Sequence, residues 1–229
     1  TRAYDENGNL TERVDPKGQT TTFAYDALGR ETLRTLPPDL GTTDGLLTIA
    51  SVFDPNNNLL KVTETYVQSG AKVTIRTYDT FDRLQTVTDR WGNRLLYAYD
   101  PNGNRTQLLD PGDAATLYSY DALNRLSTVA TPDGAGLTTY TYFKNSTLDT
   151  VTYPNGTSAA HTYDASNRVE TIENRHNAVL VSSFTYAHDL NGNRIEQVET
   201  RYGQAAETTT YAYELADRLT QVAYPDKTT

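Results

Sequence analysis

The sequence contains no cysteine, no methionine and a single tryptophan among its 229 residues. Without cysteine the chain can form no disulfide, and it offers neither a thiol nucleophile nor a thiolate ligand for zinc. The cellular compartment stays open, because a chain without cysteine suits oxidising and reducing surroundings equally. The 37% of hydrophobic residues are dispersed, and no stretch approaches the roughly 20 apolar residues of a membrane-spanning helix.

Positive charge and histidine are also scarce. The formal net charge is -9 and the pI is about 4.8. Binding to a nucleic-acid backbone needs a basic surface whose lysines and arginines displace counterions, so we expect no nucleic-acid partner. The three histidines, His161, His176 and His188, lack the spacing of a metal-binding pair. Zinc binding and a Ser-His-Asp triad are therefore disfavoured.

A six-residue pattern recurs through the chain: an aromatic residue, an acid, three turn residues, and then Arg or Asn. Copies start at positions 4, 25, 53, 78, 99, 120, 142, 163, 188 and 213, so that they are 21 to 28 residues apart. A fixed period of this length is typical of repeat architectures. We call each copy a signature turn and number the turns from first to tenth. The residues that we assign to the signature are Tyr25, Asp26, Gly29, Arg30, Tyr78, Asp79, Arg83, Tyr99, Asp100, Gly103, Tyr120, Asp121, Arg125, Tyr163, Asp164, Arg168, Tyr213, Glu214 and Arg218.

The residues that precede each signature turn alternate as in a β-strand. Thr21, Phe23 and Tyr25 would share one face of such a strand, and threonine and tyrosine suit a half-buried pleated surface. Gly29, like the Asn or Asp at this position elsewhere, tolerates the positive φ of a tight turn. A second turn, for example at residues 15–18, closes the unit. Each unit is therefore predicted to contain two strands and two turns.

The strand after the signature turn departs from simple alternation, because its apolar residues, such as Leu84 and Val87, are three apart. This spacing places them on opposite faces of a regular strand or on one face of a helix. A helix of about seven residues rich in Thr and Val is disfavoured. A β-bulge, or a sheet packed on both faces, is the favoured explanation. The longer units are attributed to inserted loops, at 37–46 and 203–207.

The pattern Tyr-Asp-x-x-Gly/Asn-Arg-Leu, at intervals of about 21 residues, resembles the YD-repeat or Rhs-repeat family over essentially the whole chain. Members include Rhs toxins, encapsulating components of insecticidal toxin complexes, wall-associated proteins and teneurins. The resemblance implies an all-β fold, in which about ten two-stranded repeats form a continuous, curved antiparallel sheet as a segment of a spiral β-shell. Residues 1–229 would then be a single repeat array, cut from a longer protein that continues at both ends.

The resemblance also implies a function. We expect a structural wall segment of a secreted or cell-surface bacterial protein that encloses a toxin cargo, with further repeats and a C-terminal cargo of its own chain as partners. Family toxins carry a longer Asp-Pro-x-Gly signature with acids for self-cleavage. Residues 15–18 match only a fragment of it, so no protease residues are assigned. We expect no enzyme activity and no cofactor.

The alternative function is an extracellular adhesive or filament-forming module. Such a module would self-associate, or would bind a cell-surface glycan through an exposed aromatic side chain such as Trp91, the single tryptophan. The 17 tyrosines allow rows of exposed rings. A cross-strand ladder of signature tyrosines that stabilise their neighbours is the favoured interpretation.

Other polar patterns are better explained by the repeat than by chemistry. Asp26 and Arg30 are four apart, and their counterparts recur in nearly interchangeable copies, which favours pairing around a turn over catalysis. His161 and His188 occupy positions that tyrosines fill elsewhere. Three turns, at 5–9, 100–104 and 189–193, resemble half of a calcium loop but lack its bidentate Glu at the twelfth position. Plain turns are therefore favoured over calcium sites.

Overall fold

The computed structural model describes residues 1–37, 44–134 and 136–225, and every regular element in them is a β-strand. Paired strands run antiparallel, so the predicted all-β antiparallel class is confirmed. Most of the loop predicted at 37–46 lies outside the described residues. The strands are β1 (Arg2–Tyr4), β2 (Leu10–Val14), β3 (Thr20–Tyr25), β4 (Glu31–Thr35), β5 (Leu46–Phe53), β6 (Leu59–Tyr66), β7 (Gly70–Tyr78), β8 (Leu84–Thr88), β9 (Arg94–Tyr99), β10 (Arg105–Leu109), β11 (Ala115–Tyr120), β12 (Leu126–Ala130), β13 (Leu137–Tyr142), β14 (Leu148–Thr152), β15 (Thr157–Tyr163), β16 (Val169–His176), β17 (Val179–His188), β18 (Arg194–Arg201), β19 (Glu207–Tyr213) and β20 (Leu219–Ala223).

The chain divides into two compact units, residues 1–115 and 116–229. In the first unit, each of the strands β1 to β9 pairs with the next along the chain. In the second unit, β11 to β19 do the same, with β11 beginning at the boundary. Because hairpins connect the strands, the signature turns of each unit lie along one sheet edge and the second turns along the other.

The signature turns share one backbone geometry. Asp26 N donates to Arg30 O and Gly29 N donates to Asp26 O, each at 3.0 Å. Asp26 Oδ1 accepts the N–H groups of Leu28 and Arg30 at 2.9 and 3.1 Å. The fifth residue has a positive φ, +74° at Gly29 and +60° at Asp82, which explains why Gly, Asn or Asp stands there. The acid thus caps its own turn.

A β-bulge begins the strand after the signature turn and accounts for the three-residue spacing. Tyr78 faces Leu84, and the next pair is Thr77 with Thr86, so Gln85 is the extra residue. The bulge returns the residue three positions after Leu84 to the same face. The β-bulge interpretation is therefore confirmed. The same shift occurs at Leu126 and Val129, at Val169 and Ile172, and at Leu219 and Val222.

Inserted loops do not explain every longer unit. In the units that start at positions 53 and 163, both strands of the hairpin are lengthened: β6 and β7 have 8 and 9 residues, and β16 and β17 have 8 and 10. The loops predicted from the sequence, at 37–46 and 203–207, lie in other units, so the extra length of these two was not explained by the sequence. An antiparallel hairpin can add residues to both strands without changing its turn, since each added pair extends the same ladder.

Little of the protein is fully buried. Val151 is 6% exposed, Thr21 and Thr86 are also buried, and no described large side chain is fully enclosed. In β3, Thr21, Phe23 and Tyr25 are less exposed than the three residues that alternate with them, as the sequence predicts. We call the side of the sheet that carries Tyr25 and its counterparts the tyrosine face. The side chains of each strand are covered mainly by the adjacent strands. The stability of the protein therefore depends on contacts between neighbouring repeats.

Gly103→Ala is expected to lower the free energy of unfolding by about 1 kcal/mol, because Gly103 adopts a φ of +90° that disfavours a side chain. Gly112→Ala is the matched control in the neighbouring second turn. Gly112 lies outside the left-handed region, and an added Cβ would meet Asp110 Oδ1 at 3.4 Å. We expect this variant to be neutral or slightly stabilised. Urea denaturation measures both, and equal losses would contradict the backbone argument.

Candidate functional site

The signature acid and arginine form an ion pair around the turn. The Arg30–Asp26 pair is 2.7 Å long, and the two side chains are 18% and 25% exposed. Because both side chains are partly buried, water screens this ion pair less than it screens a fully exposed pair. Equivalent pairs join Arg83 to Asp79, Arg125 to Asp121, Arg168 to Asp164, and Arg218 to Glu214.

The same arginine also contacts the following repeat. Arg83 Nη1 donates to Asp100 O at 2.8 Å, and its guanidinium carbon lies 4.7 Å from the centre of the Tyr99 ring. We call this pair of interactions the forward contact. It combines a hydrogen bond from a charged donor with a cation–π interaction. It recurs from Arg30 to Asp54 O and the Phe53 ring, from Arg125 to Phe143 O and the Tyr142 ring, and, for the hydrogen bond, from Arg168 to Asp189 O.

The signature tyrosine makes the reciprocal contact with the preceding repeat. The Tyr99 hydroxyl donates to Leu84 O at 2.8 Å, and burial raises the pKa of Tyr99 because the phenolate is poorly solvated there. Tyrosines therefore join repeats through backbone carbonyls and guanidinium groups, which differs from the direct ladder of rings predicted from the sequence. Equivalent hydroxyl contacts join Tyr25 to Leu10 O, Tyr78 to Leu59 O, Tyr142 to Leu126 O, and Tyr213 to Arg194 O.

Asparagine takes the place of arginine in alternate copies. Asn58 Nδ2 donates to Asp54 Oδ2 of its own turn at 2.9 Å and to Asp82 Oδ1 of the next turn at 2.6 Å. Asn193 makes the same two contacts, with Asp189 and Asp217. The third and ninth turns thus reach forward with an amide, whereas the second, fourth, sixth and eighth turns reach forward with a guanidinium. The alternation is visible in the sequence, where the one departure is Thr147 in the seventh turn.

The turns that resemble half a calcium loop use their carboxylates within the turn. Asp5 Oδ1 accepts the N–H groups of Asn7 and Asn9 at 3.0 and 2.8 Å, and Oδ2 accepts Asn9 Nδ2 at 2.9 Å. The hydrogen bond from the Asn9 side chain is the main cause that lowers the pKa of Asp5. Calcium would have to displace these donors. Among the described residues, no three His, Asp or Glu side chains are grouped for a metal ion.

The histidines are dispersed along the second unit. His161 Nδ1 lies 3.4 Å from Asp149 O, His176 ends β16 and faces Val179, and His188 occupies the aromatic position of the ninth turn. No two of these histidines face each other across neighbouring strands. The structure therefore does not assemble them into one site.

Trp91 lies in the second turn between β8 and β9 with 75% of its surface exposed. The guanidinium carbon of Arg90 lies 5.2 Å from the centre of its ring. Arg90 is itself held by Glu64 at 2.7 Å and by the Tyr66 hydroxyl at 2.9 Å. The indole is thus accessible, as expected for the alternative function, but a glycan site at Trp91 stays a prediction.

Tyr99→Phe is expected to lower the free energy of unfolding by about 1 kcal/mol, because the variant leaves Leu84 O without its donor. Tyr4→Phe serves as the control, since Tyr4 begins the first signature turn and is 56% exposed. We expect a change within about 0.5 kcal/mol for this variant. Chemical denaturation distinguishes the two. Identical losses would show that the hydroxyl contact between repeats is unimportant.

Comparisons with known proteins show which family and which solved structures this chain resembles. The family model described as RHS Repeat matches residues 4–37, 78–115 and 99–136. A comparison with curated proteins found no match. Among solved structures, TcdB2-TccC3 without its hypervariable C-terminal region matches with a TM-score of 0.65 and 17% identity, over 100% of this chain and 15% of that chain. TcdB2-TccC3 matches with a TM-score of 0.66 and 16% identity, over 99% and 15% of the two chains.

A Tc holotoxin pore from Photorhabdus luminescens matches with a TM-score of 0.53 and 14% identity, over 95% of this chain and 15% of that chain. At these identities the likeness shows a shared fold. The chain spans about 15% of the length of the structures that it matches. Within residues 1–37, 44–134 and 136–225, no helix is long and apolar enough to cross a membrane.

Proposed function

We propose that this chain, which the RHS Repeat family model matches in three segments, is a wall segment of a large secreted or cell-surface bacterial protein that encloses a toxin cargo. The forward contact carries the proposal. Because a signature turn binds the next one within a unit, as the second binds the third and the fourth binds the fifth, the array can be extended repeat by repeat without a second layer to complete its core. Such contacts suit a structural element that must cover a large area.

The relatives support the same function. One was solved without its hypervariable C-terminal region, and another was solved as a Tc holotoxin pore. We propose that this chain likewise forms one array within a longer protein, whose further repeats and C-terminal cargo are its partners. The signature residues would serve this array structurally and would perform no catalysis, because nearly interchangeable copies leave no single turn with a distinct set of acids and bases.

Electron microscopy of the complete natural protein tests the proposal. Closed hollow particles are the expected result, and long uniform threads would instead support the adhesive or filament-forming alternative. Limited proteolysis adds a second measurement. A cargo enclosed by the wall should resist cleavage in the intact protein and should become sensitive when the wall is opened at moderate denaturant concentration. A cargo that is cleaved equally fast in both states would contradict enclosure.

A further inference from the structure

Acidic and basic side chains are segregated in the first unit. The acids lie mainly in the turns at the two sheet edges, where carboxylates such as Asp26 and Asp89 accept backbone N–H groups of their own turns. The strands β1 to β10 contain only three acidic residues, Glu12, Glu31 and Glu64, but eight basic ones. The middle of this sheet is therefore basic although the chain has a net charge of -9.

Most of the basic residues in these strands lie on the tyrosine face. Arg2 shares this face with Tyr4 by alternation, and Arg13 faces Arg2 directly. The register assigns six of the eight to it, and we call these six the basic stripe: Arg2, Arg13, Arg34, Lys72, Arg76 and Arg105. The opposite face carries the other two, Lys61 and Arg94.

The two acids on the tyrosine face already have partners. Glu31 pairs with Arg34 at 2.9 Å. Glu64 pairs at 2.7 Å with Arg90, which reaches this face from a second turn. Neither acid is thus available to balance the remaining basic residues of the stripe.

Three members of the stripe have no ion-pair partner among the described residues. Arg2 and Arg13 face each other across β1 and β2, and both are exposed. Like charges in this position repel each other. Arg76 faces Val87, and its Nη1 is enclosed without a hydrogen-bond partner in the described part of the chain. An incoming carboxylate would relieve the repulsion at Arg2 and Arg13 and would pair with Arg76.

Aromatic rings hold other members of the stripe on the face. The Arg34 guanidinium carbon lies 5.4 Å from the centre of the Phe23 ring, and Lys72 Nζ lies 4.6 Å from that of Tyr66. Cation–π contacts of this kind leave the charge in place. Asp44 is close enough to Lys72 for their charges to interact, so the surplus of positive charge rests mainly on the three arginines without partners.

The dimensions and edges of the stripe indicate its partner. Ten strands about 4.8 Å apart make a row of roughly 43 Å, which an extended peptide of about 13 residues would span. Carboxylates spaced along a peptide can reach the arginines and avoid the acidic turns, whereas the continuous phosphate charge of a nucleic acid would be repelled at both edges. We propose that the basic stripe binds an extended acidic segment of a polypeptide. This interaction goes beyond the proposed wall function and does not depend on it.

Fluorescence anisotropy on this chain tests the proposal with a labelled peptide of six Glu-Ser pairs at low salt. The matching peptide of six Gln-Ser pairs is the neutral comparison and should not bind. Arg13→Gln and Arg76→Gln should each weaken binding of the acidic peptide about fivefold, as expected for loss of one ion pair. Arg94→Gln removes the same charge from the opposite face and should leave binding unchanged.

Urea denaturation separates loss of binding from loss of folding. Arg13→Gln removes one of two facing like charges, so its unfolding midpoint should stay the same or rise. Failure of the wild type to bind the acidic peptide, or equal weakening by Arg94→Gln and Arg13→Gln, would overturn the proposal. Tighter binding of a twelve-residue oligothymidylate than of the peptide would also overturn it, because the stripe would then be a nucleic-acid site.

Discussion

Arg83→Ala is expected to lower the free energy of unfolding by about 2 kcal/mol, whereas Arg218→Ala should change it by less than about 0.5 kcal/mol. Arg83 is 26% exposed, and its guanidinium binds Asp100 O and packs over the Tyr99 ring of the following repeat. A hydrogen bond from a charged donor contributes about 1.5 kcal/mol or more, and a cation–π contact about 0.5–1 kcal/mol. Arg218 has the same position in the tenth turn but is 78% exposed.

Arg83→Lys separates charge from geometry. An ammonium group retains the positive charge but cannot bond Asp79, bond Asp100 O and stack on Tyr99 at the same time. We therefore expect lysine to recover only part of the loss. Because repeat arrays unfold locally, amide hydrogen exchange in β8 to β10 should be measured beside urea denaturation. Equal losses at Arg83 and Arg218, or full recovery with lysine, would show that the forward contact does not hold the repeats together.

Acidification from about pH 4 to about pH 2 is expected to destabilise the protein far more than acidification from pH 7 to pH 4. The hydrogen bond from the Arg30 side chain lowers the pKa of Asp26 from its usual 3.8, and one from the Asn9 side chain does so for Asp5. A carboxyl group whose pKa is lower in the folded state contributes stability above its unfolded pKa, and loses it as the pH falls through the folded value. The pKa is lowered in the same direction at Asp54, Asp79, Asp89, Asp100, Asp121, Asp164 and Asp189.

Asp44 provides a single-residue test of this pH dependence. Hydrogen bonds from the Ser69 side chain, the Ser69 backbone and the Gln68 backbone lower the pKa of Asp44 to about 2. Asp44→Asn should reduce stability at pH 7 and should make the decline between pH 4 and pH 2 less steep. Thermal unfolding followed by circular dichroism at pH 7, 4, 3 and 2 measures both effects. Wild-type melting temperatures that are equal at pH 4 and pH 2 would refute the argument.

Local features of the fold could be predicted from the sequence because their causes lie within a few residues. Alternation predicted that Thr21, Phe23 and Tyr25 share a face of β3, and the structure shows that this face is the less exposed one. The need for a positive φ explains Gly29 and Asp82 in the signature turns. The three-residue spacing of Leu84 and Val87 correctly indicated a β-bulge. Each of these depends on chain geometry over fewer than about six residues, which a repeated pattern records directly.

Features that join repeats could not be predicted in the same way. Arg83 and Asp100 are 17 residues apart, and Arg30 and Asp54 are 24 apart. Whether these groups meet depends on the strand register, and a shift of one residue would turn the side chains to the opposite face. The lengthened hairpins of the units that start at 53 and 163 could not be predicted for a related reason, because extra residues can be absorbed in longer strands as easily as in a turn.

The amino-acid sequence is enough to predict the repeat, its two-strand unit, the turn chemistry and the resemblance to the Rhs repeats, since each rests on residue types that recur at a fixed spacing. Only the folded chain shows that the arginine and tyrosine of one turn bind the neighbouring turns, and that the third and ninth turns reach forward with an amide where others use a guanidinium. These depend on which side chains the bulged register brings within about 3 Å of one another. That proximity is a property of the folded sheet and not of any one repeat.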